Sequence, residues 1–423
     1  MNLLHKVVAH HRRERDAILR RSFVPRELER KLAGELQSAL VKVITGPRRA
    51  GKSTLAFQVL AGRRFAYLNF EDDALRADAS SDDLVEALDA VYGETDFVLF
   101  DEIQNHPHWE SFVNKLHRRG RNLVLTGSNS RLLSRELGSA LTGRHLAFEL
   151  LPFSFREFLT ATGTDGADAQ SANADAPARL REYLMWGGFP EVVLGRAEPS
   201  AYLRSLFDSL VLRDIVTRHR VRRPTAIHDL LTLLLNSVAN RFSARSLERS
   251  LGTLSVATVQ KYIAYCSEAY LVQDLQPYFF KPRLRLKADR KIYAFDNGFV
   301  SATSQPVTSD TSRLLENLVF VELVRRGFKP NADLFYYQTR AGNEVDFLLR
   351  RSAKNLALIQ VTRTLAALKT RERETRSLLQ GAEELSVKDL LVITLDGEET
   401  IELHGHRIRV VPCWKWLIEA PLP

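Results

Sequence analysis

A chain of 423 residues with 45% hydrophobic and 26% charged side chains has length for about two to four domains and the make-up of an ordinary globular protein. No apolar run approaches the roughly 20 residues of a membrane helix, MNLLHKVVAHHRRERD turns polar too soon for a signal peptide, and Cys266 and Cys413 alone make neither a disulfide framework nor a cysteine-rich zinc site. A cytoplasmic location is therefore expected, and a net charge of +9 invites a polyanion as partner.

Residues 1–33 read as an arginine-rich helical arm with an apolar stripe of Leu19, Phe23, Leu28 and Leu32, interrupted near Pro25. Such an arm suits either a cover for the edge of the next domain or a nucleic-acid contact. Val41, Val43 and Ile44 then make an apolar run without in/out alternation, the pattern of a buried parallel strand. It leads into Gly46-Pro47-Arg48-Arg49-Ala50-Gly51-Lys52-Ser53-Thr54 and a helix closed by Gly62. This is G-x-x-x-x-G-K-[ST] between strand and helix, a phosphate loop. Its glycines let the backbone approach phosphates, and its N–H groups point at them. Lys52 is expected on the β- and γ-phosphates and the Ser53 hydroxyl on Mg²⁺, so ATP binding is predicted.

Further strands are predicted at RRFAYLNFED, DFVLFDEIQ, NLVLTGSNS and HLAFELLPF, separated by helices. Their C-terminal ends carry Asn69, Glu71 and Asp72, then Asp101 and Glu102, then Thr126, Ser128 and Asn129. Alternating strands and helices with polar groups at one edge specify a parallel α/β sheet with its site there. Asp101 is predicted to hold Mg²⁺ and Glu102 to polarise the attacking water, since phosphoryl transfer needs positioning and charge compensation above all. Ser128 is placed to bond the γ-phosphate or the water. Asn69 is expected either to restrain Glu102 or to cap its strand. Arg144, at an edge beside Gly143, can project into a neighbouring subunit's nucleotide, with Arg131 and Arg135 as competitors.

Residues 160–178, rich in Ala, Asp and Gly, read as a linker. Helices resume through RLREYLMWGGFPEVVL and AYLRSLFDSLVLRDIVTRHRV. From Pro224, three helices and two strands flanking KPRLRLKADRK give the layout of a winged helix. Lys261 on its third helix and Lys281, Arg283, Arg285, Lys287, Arg290 and Lys291 in the wing suit phosphate contacts that do not read sequence. A long helix, several strands and IRVVPCWKWLIEA complete a last α/β unit.

The phosphate loop, DEIQ, LTGSNSRLLS, LTGR and LPFSFREF, in this order, resemble a family of bacterial and archaeal AAA-type (AAA+) ATPases. The resemblance extends through WGGFPE (186–191) to LLENLVFVEL (314–323). It implies a ring, expected to be a hexamer, driven by Mg-ATP, with a winged-helix unit and a restriction-endonuclease-like C-terminal fold. The domain plan is thus an arm at 1–33, an ATPase core at 34–158, a linker and helical lid at 159–220, a winged helix at 221–304 and the endonuclease-like unit at 305–423. In that last fold Glu316, Asp346 and Gln360 match metal-site positions, while Thr362 stands where a lysine belongs. Without that cation the site is expected to be a degenerate nuclease scaffold. The expected function is remodelling of DNA, branched or partly unwound, by an oligomeric ATPase. The alternatives are an ATP-gated regulatory or defence switch and a metal-dependent nuclease.

Overall fold

The computed structural model describes residues 3–75, 80–128, 143–163, 169–285, 288–303, 310–352 and 354–419, with backbone alone at 169–174 and 282. The chain divides into two compact units, Met1–Pro152 and Phe153–Pro423.

The first unit opens with helices α1 (Leu3–Ile18) and α2 (Glu27–Gly34). There follow β1 (Val41–Thr45), α3 (Lys52–Leu60), β2 (Phe65–Asn69), α4 (Ser81–Tyr92), β3 (Phe97–Asp101), α5 (Trp109–Arg118), β4 (Leu123–Gly127) and β5 (His145–Glu149). The strands form one parallel sheet in the order β2-β3-β4-β1-β5. Successive side chains of a strand enter opposite cores. Val41 and Val43 pack with Leu84, Leu88, Phe112 and Leu116, whereas Ile44 packs with Leu55, Phe57 and Leu60. Burial on both faces is why these strands read as unbroken apolar runs.

Part of the basic arm packs on the domain that follows, while Arg13, Arg20, Arg21 and Arg30 are exposed. Val8 is fully buried in the core that α4 and α5 line. Arg12 Nη1 donates to the Val91 carbonyl at 2.8 Å and Arg15 Nη1 to that of Phe65 at 2.5 Å. Arg26 donates to two carbonyls, Ala50 at 2.8 Å and Leu151 at 2.7 Å. These arginines meet carbonyls at a helix end, a strand start and two loops, so this part of the arm covers the core that follows it.

In the second unit a helix runs from Ala169 to Trp186, over most of the stretch whose composition suggests a linker. Its alanines carry the highest helix propensity of any residue, and the helix runs on through Asp175 and Pro177. Residues 164–168 of that stretch lie outside the described residues. A π-helical turn, Val211–Thr217, continues the helix Pro199–Leu210. Helices Pro224–Asn236, Ala244–Leu251 and Val256–Glu268 surround a small antiparallel sheet. That sheet has the order β6-β8-β7, with β6 at Arg241–Phe242, β7 at Val272–Leu275 and β8 at Arg290–Ala294. A short helix, Pro282–Arg285, interrupts the connection from β7 to β8.

The C-terminal sheet contains β9 (Leu334–Gln338), β10 (Glu344–Arg351), β11 (Lys354–Val361), β12 (Asp389–Thr394), β13 (Glu399–Leu403) and β14 (His406–Pro412). Its order is β13-β14-β12-β11-β10-β9, with β11, β12 and β14 parallel and the outer pairs antiparallel. Helix Leu368–Leu385 lays Leu378, Ala382 and Leu385 against Val345, Leu358 and Val392. Gly381 of that helix lies where a Cβ would be 3.0 Å from the Leu358 side chain, which a larger residue would have to push aside.

Candidate nucleotide site

β1 delivers the chain to Gly46 with φ +143°, and a Cβ there would lie 2.0 Å from the Leu150 carbonyl oxygen. Only glycine fits, because the loop turns directly against the backbone that leaves β5. Pro47, Arg48, Arg49 and Ala50 make the turn, and Gly51 at φ +93° caps α3, which begins at Lys52. The first N–H groups of a helix have no partner within it, so Gly51 to Thr54 present donors where an anion can bind.

Lys52 is buried, its Nζ donating to the Pro47 carbonyl at 3.0 Å and lying 3.3 Å from Glu102 Oε1. Ser53 Oγ donates to Asp101 Oδ1 at 2.7 Å. Thr126 Oγ1 donates to the same carboxylate oxygen and accepts the Glu102 N–H at 3.0 Å. Asn69 is registered with Asp101, so β2, β3 and β4 end together beside the loop. Burial pushes the Asp101 carboxyl up to about 6, with the Glu102 charge adding and the Thr126 and Ser53 hydroxyls opposing. For Glu102 burial also acts upward, but Lys52 and Arg48 outweigh it and hold the group below its ordinary value. A serine hydroxyl and a carboxylate within 2.7 Å of each other are hard oxygen donors of the kind Mg²⁺ takes. They fit the ion that a nucleotide would bring.

Ser128 is buried at the end of β4, with its Oγ 3.4 Å from Gln104 Nε2. Asn69 Oδ1 accepts the Glu71 N–H at 2.9 Å, which is the capping alternative for that residue. Glu102 Oε2 instead accepts from Gln104 Nε2 at 2.5 Å. Arg48 Nη1 reaches Glu71 Oε1 at 2.6 Å, while Arg49 is exposed. Arg144 is exposed just before β5, its carbonyl accepting the Val41 N–H and its Nη1 3.4 Å from Asn114 Oδ1. It sits at the sheet edge opposite the phosphate loop, out of reach of its own site. Arg131, Arg135 and Asn129 lie outside the described residues. Sequence reasoning placed Thr126 at its strand end without a role and missed Gln104 and Arg26; for Gln104 the one signal was its place in DEIQ, two residues after the acid.

The basic residues of the second unit divide. Lys261, Lys281 and Arg283 are exposed, and Lys287 lies outside the described residues. Arg285 lies over the rings of Tyr278 and Phe335, at 5.4 and 4.8 Å from their centroids. Arg290 Nη1 pairs with Asp274 Oδ2 at 3.0 Å. Lys291 is not on a solvated tip: it is 2% exposed, and its Nζ lies 2.6 Å from Glu316, 2.8 Å from Glu344 and 3.0 Å from Asp346. Its place on β8, opposite Arg241 and Leu275, turns it inward.

Glu316 and Asp346, which the resemblance sets at metal-site positions, lie near each other around a lysine from another strand. Burial alone would lower the Lys291 pKa; the three carboxylates hold it well above the ordinary lysine range. Gln360 Oε1 accepts the Asp346 N–H at 3.4 Å, and its Nε2 donates to Glu374 at 2.6 Å. Thr362 is buried and donates its N–H to the Ile393 carbonyl.

Comparison with known proteins gives three consecutive family matches: an AAA domain at residues 38–159, then domains of unknown function (DUF8612) at 177–310 and (DUF4143) at 311–416. An uncharacterized protein of Methanocaldococcus jannaschii is 35% identical over 89% of this chain and 88% of its own length. One of Haemophilus influenzae is 30% identical over 90% of this chain and 94% of its own. Among solved structures, a Walker-type ATPase of Pyrococcus abyssi is 16% identical, with a TM-score of 0.46, over 67% of this chain and 97% of its own. Among the described residues no helix is long and apolar enough to cross a membrane. With its phosphate loop on a five-stranded parallel sheet and two relatives matched over nearly their full length, the chain belongs to the family of prokaryotic P-loop AAA ATPases whose AAA domain is followed by two domains of unknown function.

Proposed function

We propose that the protein is an oligomeric, Mg-ATP-dependent ATPase that binds and remodels DNA. The observation that carries the catalytic part is the convergence of Lys52, Ser53, Asp101, Glu102 and Ser128 at one sheet edge. The N–H groups around Gly51 cradle the phosphates, and Lys52 turns from Pro47 and Glu102 to the β- and γ-phosphates. Ser53 and Asp101 hold Mg²⁺, which when bound offsets charge on the phosphate oxygens. Glu102 accepts a proton from the water as its oxygen bonds to the γ-phosphorus and the bond to ADP breaks. Ser128 steadies the γ-phosphate. Arg144, exposed and away from its own loop, supplies positive charge to a neighbouring subunit's nucleotide in a ring.

DNA as the partner is supported by the net charge of +9 and by the exposed Lys261, Lys281 and Arg283. Helix Val256–Glu268 also exposes Ser255 at its N-cap and Gln260. Near it Arg245, Gln260 and Arg290 line a cavity of about 600 Å³. Helices Pro224–Asn236, Ala244–Leu251 and Val256–Glu268 with β7 and β8 suit a winged helix.

A switch in which nucleotide sets conformation is the second reading. It is favoured by the Lys52–Glu102 contact, which occupies both groups together. ATPase rates measured with single-stranded, duplex and four-way DNA separate the two. Stimulation by DNA of one form supports the remodelling reading, and slow turnover indifferent to all three refutes it.

A further inference from the structure

The turn after β3 is built to bring one side chain back over Glu102. Glu102 has φ +49°, and the next three residues, Ile103–Asn105, form a single 3-10 turn. Ile103 is fully buried in the core beneath, and His106 packs against Phe70 and Phe112, so both flanks of the turn are fixed. Bonds from the Asn105 N–H to the Glu102 carbonyl and from the His106 N–H to that of Ile103 close it. A non-glycine residue in the left-handed region costs free energy, and it persists where the surroundings over-determine it. Here the conformation folds Gln104 onto the carboxylate.

The polar atoms are then distributed unequally. Glu102 Oε2 is taken by Gln104 Nε2 at 2.5 Å, and Oε1 by Lys52 at 3.3 Å. The same amide nitrogen stands 3.4 Å from Ser128 Oγ. The amide oxygen, Gln104 Oε1, is buried and has no hydrogen-bond partner among the described residues. An acceptor left so is costly, about 1–3 kcal/mol, and calls for a donor in the working state.

We propose that Gln104 is a positioning residue for the attacking water, holding Glu102 by its amide nitrogen and accepting a hydrogen bond from the water with its amide oxygen. The inference rests on Glu102 as the group that polarises the water. When Lys52 moves to the phosphates, Glu102 Oε1 is released while Oε2 stays fastened to Gln104. A water donating one hydrogen to Glu102 Oε1 and the other to Gln104 Oε1 turns its lone pair towards the γ-phosphorus. Both hydrogens are thereby fixed, and with them the direction of attack. The proton passes to Glu102 alone; the amide takes none.

The test is steady-state ATPase activity, together with the affinity for a non-hydrolysable ATP analogue, in the full-length chain. Gln104→Leu and Gln104→Ala should lower kcat by about 10- to 100-fold, with analogue affinity changed less than about twofold and thermal unfolding unmoved. Glu102→Gln/Gln104→Ala should be no slower than Glu102→Gln alone, because the two side chains act as one unit. Parental kcat in both Gln104 variants overturns the proposal, as does a loss of kcat matched by an equal loss of affinity or a multiplicative double mutant. Parental turnover in Glu102→Gln would instead remove the assignment of Glu102 on which the proposal stands.

Discussion

Replacing Lys291 with methionine isolates a buried electrostatic commitment in the second unit, one cation among three carboxylates. The ammonium is within 3.0 Å of three carboxylates, and after the change, among the described residues, only Glu344 keeps an ion pair, with Arg241. Glu316 retains the Tyr293 hydroxyl at 2.7 Å and Asp346 the Val361 N–H at 2.9 Å. Neither bond supplies a charge. Their side chains are 12% and 7% exposed, so water reaches them poorly. Breaking a buried ion pair by removing one partner costs about 3–5 kcal/mol. With a urea slope of about 2–3 kcal/mol/M, the transition of this unit should fall by about 1–2.5 M. Lys291→Met with Glu316→Gln and Asp346→Asn should recover most of that loss, since no uncompensated charge remains between them. Urea unfolding followed by circular dichroism reads both effects, with nucleotide binding by the first unit as an internal control. A single variant that unfolds at the parental urea concentration, or a triple variant no better than the single, refutes the reasoning.

Arg144→Ala should bind ATP almost normally, hydrolyse it poorly and suppress the parent when mixed with it; full-rate hydrolysis by a dilute monomer would sink the role in trans. Changing Lys261, Lys281 and Arg283 together to alanine should weaken binding to duplexes of any sequence. It should also reduce the slope of log affinity against log salt by about 0.9 for each phosphate no longer neutralised; an unchanged slope moves the DNA-binding surface elsewhere. Burial lowers the Lys42 pKa to about 8, against a partial upward pull from Glu35, while its Nζ donates to the Ser38 carbonyl and Asn122. Between pH 8 and its ordinary 10.5 the unfolded chain then holds the more protons at this site, so its contribution to stability rises with pH. The difference between parent and Lys42→Met in urea melts should move in the parent's favour by up to about 1.4 kcal/mol per unit across that range, and a pH-independent difference would count against it.

The sequence carried the phosphate loop, the parallel sheet and the polar strand ends openly, because glycine placement and apolar runs are local signals. Asp101, Ser53 and Glu102 come together as strand order alone demands. Lys291 was illegible for the opposite reason. It stands in a run of basic residues that reads as solvated, and its partners lie 25 to 55 positions away on other elements. Only the pairing of β8 turns it inward. The packing of the N-terminal arm was likewise beyond the sequence, since Arg12, Arg15 and Arg26 bond to backbone carbonyls and a carbonyl leaves no mark in composition. Gln104 was hidden by backbone conformation, for nothing in DEIQ announces that Glu102 takes φ +49°.

Arg26 fastens two stretches of chain with one guanidinium, the end of the phosphate loop at Ala50 and the exit from β5 at Leu151. Its own backbone belongs to the segment that joins α1 to α2. Local opening of that segment therefore costs two charge-assisted hydrogen bonds at once, and it loosens the loop in the same event. Nucleotide that stills the loop must slow amide exchange in the arm. By the reciprocity of linked equilibria, a partner that grips the arm more tightly when the segment is closed should raise affinity for nucleotide by the same factor that nucleotide raises its own. The first 34 residues are in this sense a handle on the ATP site.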